Sequence, residues 1–121
     1  MILFIDDDLI ALKMGELMLR DLGYKVITAS GGVGALEILK KQSFDLIFLD
    51  LMMPDIYGLE VLKSIKNNQA TKEVPVILQT GVKNEIDIKE AYKLGIVTTI
   101  SKPYSKKDLK DSLEKALNFS G

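Results

Sequence analysis

The sequence predicts a parallel α/β domain of five strands, each followed by a helix. Three observations carry that prediction. Five short apolar runs alternate with five longer amphipathic stretches along the 121 residues. Two of the runs, around Ile47-Phe48-Leu49 and Val76-Ile77-Leu78, are apolar without alternation, as in parallel strands covered on both faces. The strand-to-helix spacing favours right-handed crossovers between parallel neighbours.

Taken in order, the runs are 2–5, 25–28, 45–49, 74–78 and 96–100. After the first, residues 9–22 carry apolar side chains at helical spacing and stop at Gly23, a favourable residue just beyond a helix. The second run leads into Ser30-Gly31-Gly32-Val33-Gly34. That segment lacks the G-x-x-x-x-G-K-[ST] spacing of a phosphate cradle and reads as the loose start of the second helix. Leu94-Gly95 repeats the ending at Gly23. Ser105 and Asp108 have capping-box spacing, with Leu109, Leu113, Ala116 and Leu117 as one apolar stripe behind them. No repeat or internal linker interrupts the chain, so a single domain over 1–121 is expected, ending in a short polar tail.

Composition narrows the chemistry. An apolar fraction of 47% and a charged fraction of 27% are those of a soluble globular protein. Sixteen basic against seventeen acidic side chains leave no basic footprint, so no direct contact with nucleic acid is expected. No apolar run is long enough to span a membrane, and a cytoplasmic location is expected. The absence of cysteine removes disulfides and thiolate metal sites. The absence of histidine removes serine–histidine catalysis, imidazole metal sites and any phosphohistidine formed on this chain. Carboxylates, hydroxyls, amines and bound ions remain.

In a doubly wound sheet, functional residues gather at the carboxyl ends of the strands. Asp6, Asp7 and Asp8 follow the first run, Asp50 the third, Thr80 the fourth and Lys102 the fifth. Ala29 and Ser30, after the second, are chemically bland. Asp8 before Leu9 suits a helix N-cap. One cap takes one aspartate, and two like carboxylates about 4 Å apart cost roughly 4 kcal/mol at an effective dielectric near 20. A hard divalent cation such as Mg²⁺ would turn that repulsion into attraction. Asp50 is either a turn residue or, beside a cation, a nucleophile towards phosphorus. Thr80 is either a helix cap or a site hydroxyl. Lys102, between a buried strand and Pro103, is a compact charge suited to phosphate, and its bond to Pro103 can be cis. Met52 and Met53 read as packing residues near the site, and the lysine-rich last helix as a solvated face.

Taken together and in order, these motifs make the sequence resemble the receiver domain of two-component response regulators over essentially its whole length. The resemblance is carried by Phe4-Ile5-Asp6-Asp7-Asp8, by Leu46-Ile47-Phe48-Leu49-Asp50-Leu51-Met52-Met53-Pro54 with Gly58, by Gln79-Thr80-Gly81 and by Ser101-Lys102-Pro103-Tyr104. It implies a flavodoxin-like (βα)5 doubly wound sandwich with a five-stranded parallel sheet in the order 2-1-3-4-5. It further implies that Asp50 accepts a phosphoryl group from a phosphohistidine on a sensor histidine kinase or phosphotransfer protein. The chain would then be a signalling switch and not an enzyme. Asp6 and Asp7 would hold Mg²⁺, directly or through water, with Asp50 and the backbone carbonyl of Met52. Thr80 and Lys102 would bind oxygens of the transferred group. The readout face would be the fourth helix, fifth strand and fifth helix, over 84–119. The downstream effector is not specified by these residues, and pairing with a second copy of the chain stays open.

Three positions depart from the family pattern. Tyr57 stands where an aspartate usually precedes the glycine matched by Gly58, which should alter a loop beside the site without removing a catalytic group. Thr99 stands at a commonly aromatic switch position. Met52 and Val82 stand where related receivers often carry polar residues that help water attack the acyl phosphate, so a long-lived phosphate is expected.

Three rival functions fit these residues less well. Asp6-x-Asp8 also fits a haloacid-dehalogenase-like phosphatase, but only one helix follows Lys102 and Asp50 would have no role. A docking module that no longer takes phosphate is at odds with intact Asp6, Asp7, Asp50, Thr80 and Lys102. A flavin phosphate would be repelled by acids at the end of the first strand.

Overall fold

The computed structural model describes residues 1–81 and 85–118. The elements run β1 (Ile2–Ile5), α1 (Leu9–Asp21), β2 (Val26–Ala29), α2 (Gly32–Lys41), β3 (Leu46–Asp50), α3 (Gly58–Lys66), β4 (Val76–Thr80), α4 (Glu85–Leu94), β5 (Thr98–Ser101) and α5 (Lys106–Leu117). The strands form one sheet in the order β2-β1-β3-β4-β5, with every adjacent pair parallel. Both the alternation of elements and the strand order match the expectation.

Alternate residues of the strands feed two cores. Leu3, Ile5, Ile47, Leu49, Val76 and Leu78 pack with Leu62 of α3 and Ala91 of α4. Ile2, Phe4, Leu46, Phe48 and Ile77 pack with Leu12 and Leu19 of α1 and Leu113 of α5. The Phe4 and Phe48 rings are tilted neighbours, 5.4 Å between centroids. Burying one such side chain stabilises the fold by about 1.5–3 kcal/mol, whereas an exposed ion pair such as Lys40–Glu37 contributes about 0–1 kcal/mol. The cores, not the surface charges, therefore hold the carboxyl ends of β1, β3 and β4 in place.

The helix boundaries follow local chemistry. Asp8 caps α1, its Oδ1 accepting from Ile10 N (2.9 Å) and Ala11 N (3.4 Å). Gly23 (φ 97°) and Gly95 (φ 104°) take the left-handed conformation that ends α1 and α4. Ser105 and Asp108 form the reciprocal capping box of α5, at 3.1 and 3.0 Å.

Four strands begin one or two residues later than the apolar runs suggest. Val74 packs against the core, and Ile96 and Val97 are buried, before β4 and β5 begin. At the other ends, polar Asp50, Gln79, Thr80 and Ser101 remain in the ladder. Asp50 and Thr80 are thus the last residues of β3 and β4 rather than the first residues beyond them. The expected readout face over 84–119 includes α4, β5 and α5, but both its ends and Val82 lie outside the described residues.

Candidate functional site

Asp6 leaves β1 fully buried, and its Oδ1 accepts from the backbone N–H of Asp8 at 3.0 Å. Its Oδ2 forms an ion pair with Lys102 Nζ at 2.6 Å, yet accepts no well-aligned hydrogen bond among the described residues. Asp50, 4% exposed, accepts a hydrogen bond from the same ammonium at 3.2 Å. Lys102 is placed by β5, and its backbone N–H donates to the Thr80 carbonyl at 2.8 Å. Thr80 is buried at the same rim, paired in register with Ser101. The Lys102–Pro103 peptide is cis.

Burial pushes the Asp50 carboxyl up to about 7; Lys102 opposes that rise and Asp6 adds to it. Burial alone would lower the Lys102 ammonium, but Asp6 and Asp50 outweigh it and hold the ammonium above its usual range. One cation therefore serves two buried acids, with Asp7 beside them nearer the surface. Asp6, Asp7 and Asp50 each offer a carboxylate oxygen, all within 4.8 Å of one another. Three hard oxygen donors, one a buried oxygen with unused hydrogen-bonding capacity, suit a divalent cation such as Mg²⁺.

The structure separates the two methionines that were each expected to be packing residues near the site. Met53 is buried, while Met52, in the irregular segment between β3 and α3, is 62% exposed. Two residues beyond Asp50, only the backbone of Met52 remains relevant to the metal expectation.

Three supports were missed in the sequence, two of them joining residues 22 to 30 positions apart. A Cβ on Gly58 would lie 2.4 Å from the Asp50 carbonyl oxygen and 2.7 Å from Leu51 Cα. Only glycine lets the start of α3 sit against the end of β3, where Gly58 N donates to Leu51 O at 2.8 Å. Asp55 accepts from Gly32 N (3.2 Å) and Val33 N (3.0 Å), capping α2 from the loop after β3. A Cβ on Gly31 would meet Asp55 Oδ2 at 2.7 Å, so the glycine-rich start of α2 makes room for a cap supplied from elsewhere. Tyr57, expected to alter its loop, reaches beyond that loop. Its hydroxyl donates to Asp87 in the first turn of α4, and that bond pushes the phenol up to about 12. Thr99 lies half-buried in β5, paired in register with Leu78.

Comparison with known proteins decides the family. The family model described as the response regulator receiver domain matches residues 2–114. The chain belongs to that family. Chemotaxis protein CheY-3 of Vibrio cholerae is 35% identical to this receiver over 115 residues, covering 94% of this chain and 88% of that protein. A probable cyclic di-GMP phosphodiesterase of Vibrio cholerae is 42% identical over 82 residues, but this match spans 68% of the receiver and only 19% of that larger protein. Among solved structures, chemotaxis protein CheY4 of Vibrio cholerae superposes with a TM-score of 0.91 at 29% identity, covering 96% of this chain and 97% of that one. The receiver domain of the sensor histidine kinase PA1611 of Pseudomonas aeruginosa has a TM-score of 0.88 at 26% identity, covering 97% of this receiver and 96% of that chain. A magnesium ion is coordinated in the active-site cleft of the Pseudomonas receiver. Among the described residues, no helix of this receiver is long and apolar enough to cross a membrane.

Proposed function

We propose that this receiver is the phosphoacceptor switch of a two-component system, with Asp50 taking a phosphoryl group from a phosphohistidine on a sensor kinase or phosphotransfer protein. The observation that carries this reading is the placement of Asp50: a buried carboxyl at a strand end, 3.2 Å from Lys102 Nζ and grouped with two further carboxylates. Asp6, Asp7, Asp50 and the backbone carbonyl of Met52 would hold Mg²⁺. When bound, the ion supplies charge neutralisation for the acids and the phosphoryl oxygens. The Asp50 carboxylate oxygen forms the new bond to phosphorus as the phosphorus–nitrogen bond to the donor imidazole breaks. Lys102 then exchanges its contact with the carboxylate for one with a phosphoryl oxygen, and the Thr80 hydroxyl donates to another.

The surface beside the acids suits a protein donor. On α1, Ile10 (74% exposed), Met14 and Leu17 form an apolar stripe. The first two share with Lys102 and Pro103 the lining of a 460 Å³ groove next to the site. A partner pressed there would bring its phosphohistidine to the rim. The receiver acts as a switch within a single domain over 1–121, in the cytoplasm, and reports through α4, β5 and α5. Its effector, and any pairing with a second copy, lie with that face.

Brief exposure to acetyl phosphate and Mg²⁺, followed by intact mass, tests the reading. One added phosphoryl group, absent in Asp50→Asn, is expected. Steady release of phosphate from many small esters would instead indicate a phosphatase, and no modification a docking module.

A further inference from the structure

Gln79 takes no part in the phosphoryl chemistry described above, yet its side chain is fully buried at the rim of the sheet. Both ends of its amide are used. Nε2 donates to the backbone carbonyl of Ile5 at 3.3 Å, the residue immediately before Asp6. Oε1 accepts from the Tyr104 hydroxyl at 3.0 Å, two residues beyond Lys102. Gln79 itself pairs with Asp50 in the ladder between β3 and β4. One side chain therefore touches the strand end that leads to Asp6 and the loop that follows Lys102, from a position beside the acceptor.

Packing does not demand an amide here. The two preceding positions of β4, Ile77 and Leu78, are fully buried and apolar, and leucine has nearly the volume of glutamine. A buried amide is tolerated when its donors and acceptors are met, and then it fixes orientation, because turning it would orphan both partners. Tyr104 is half-buried against the core beneath α1 and α5, which leaves its hydroxyl pointed at Gln79.

We infer that Gln79 is a positioning residue of the phosphorylation site, clamping the Asp6 strand end to the Lys102 loop across Asp50. This inference rests on the phosphoacceptor function proposed above. Its two arms are separable. Tyr104→Phe removes the hydrogen bond on the Lys102 side and keeps the ring. Gln79→Leu removes both bonds and keeps most of the volume.

Two quantities read the arms: the Mg²⁺ dissociation constant of the unphosphorylated protein by calorimetry, and the rate of phosphorylation at saturating Mg²⁺ and acetyl phosphate. Both are measured well below each variant's unfolding temperature. Tyr104→Phe should keep Mg²⁺ affinity within about twofold and slow phosphorylation about tenfold, whereas Gln79→Leu should lose about tenfold in both. Wild-type affinity and rate in both variants, whatever their loss of thermal stability, would reduce the clamp to a packing feature. Equal loss of Mg²⁺ affinity in both variants would also overturn it, because the arms would not be distinct. The metal titration needs no phosphoryl transfer. Wild-type protein that binds Mg²⁺ without gaining phosphate would contradict the proposed function, and the clamp would still be judged on metal affinity.

Discussion

Lys102 Nζ lies 3.2 Å from Asp50 and is shared with Asp6 at 2.6 Å, so one ammonium balances two buried carboxylates. It occupies charge that a metal ion would otherwise neutralise. Lys102→Ala should therefore tighten Mg²⁺ binding by at least about threefold, since a positive charge this close opposes a second one. Phosphorylation should nevertheless slow, because the phosphoryl oxygens lose their partner. Calorimetry and intact mass on the same variant check both parts, and weaker Mg²⁺ binding would contradict the first.

The elevated Asp50 carboxyl has a consequence for stability. Its folded value of about 7 lies above the ordinary 3.8, so between these limits the folded protein binds more protons than the unfolded chain. Stability from this group is fully present below about pH 4 and is lost as pH rises through 7. In metal-free buffer at pH 8, Asp50→Asn should raise the thermal midpoint by about 4 °C or more, equivalent to about 1 kcal/mol, with the gain shrinking towards pH 5. Mg²⁺ affinity of the wild type should fall below pH 7 for the same reason, as protons compete for the carboxylate. Thermal melts across this range decide it; a gain that grows on acidification would show the opposite sign.

Gly58 has no room for a side chain. With a Cβ forced to 2.4 Å from the Asp50 carbonyl oxygen, Gly58→Ala should lose about 1–3 kcal/mol and displace Asp50. Denaturant unfolding gives the energy, and a phosphorylation rate reduced beyond any unfolded fraction gives the displacement.

The three consecutive aspartates divide by role. Asp8 caps α1 and belongs outside the carboxylate group formed by Asp6, Asp7 and Asp50. Asp8→Ala should cost about 1 kcal/mol and leave Mg²⁺ affinity unchanged. Asp8→Asn should spare both, whereas Asp7→Ala should weaken Mg²⁺ at least about tenfold. Equal losses of affinity on changing Asp7 and Asp8 would remove the distinction.

Met52 is 62% exposed, two residues beyond Asp50, and is expected to leave an attacking water without a polar partner. Met52→Asn should shorten the lifetime of the acyl phosphate, followed by intact mass after removal of the donor. An unchanged or longer lifetime would contradict the expectation that Met52 prolongs it.

The alternation of elements and the acids at strand ends were legible because they are local patterns. Asp6, Asp50, Thr80 and Lys102 each stand at the end of an apolar run, and the strand order brings those ends to one rim. The runs misjudged the strand starts because buried Ile96 and Val97 are apolar without yet being in the ladder. Contacts between distant positions left no local trace. Asp55 reaching Val33, Tyr57 reaching Asp87 and Gln79 joining Ile5 to Tyr104 span 22 to 74 positions, and no periodicity encodes them. Glycine at 58 was visible as a motif, but its reason, a carbonyl oxygen in the space of a Cβ, belongs to the folded chain.

Under the proposed function, Asp50 and neither of its neighbouring acids carries the phosphoryl group. Borohydride reduces an acyl phosphate to an alcohol, converting the modified aspartate into homoserine that peptide sequencing by mass spectrometry can locate. After treatment with acetyl phosphate and Mg²⁺, homoserine is predicted at position 50 alone. Homoserine at position 6 or 7, or an unmodified chain, would rule out Asp50 as the acceptor.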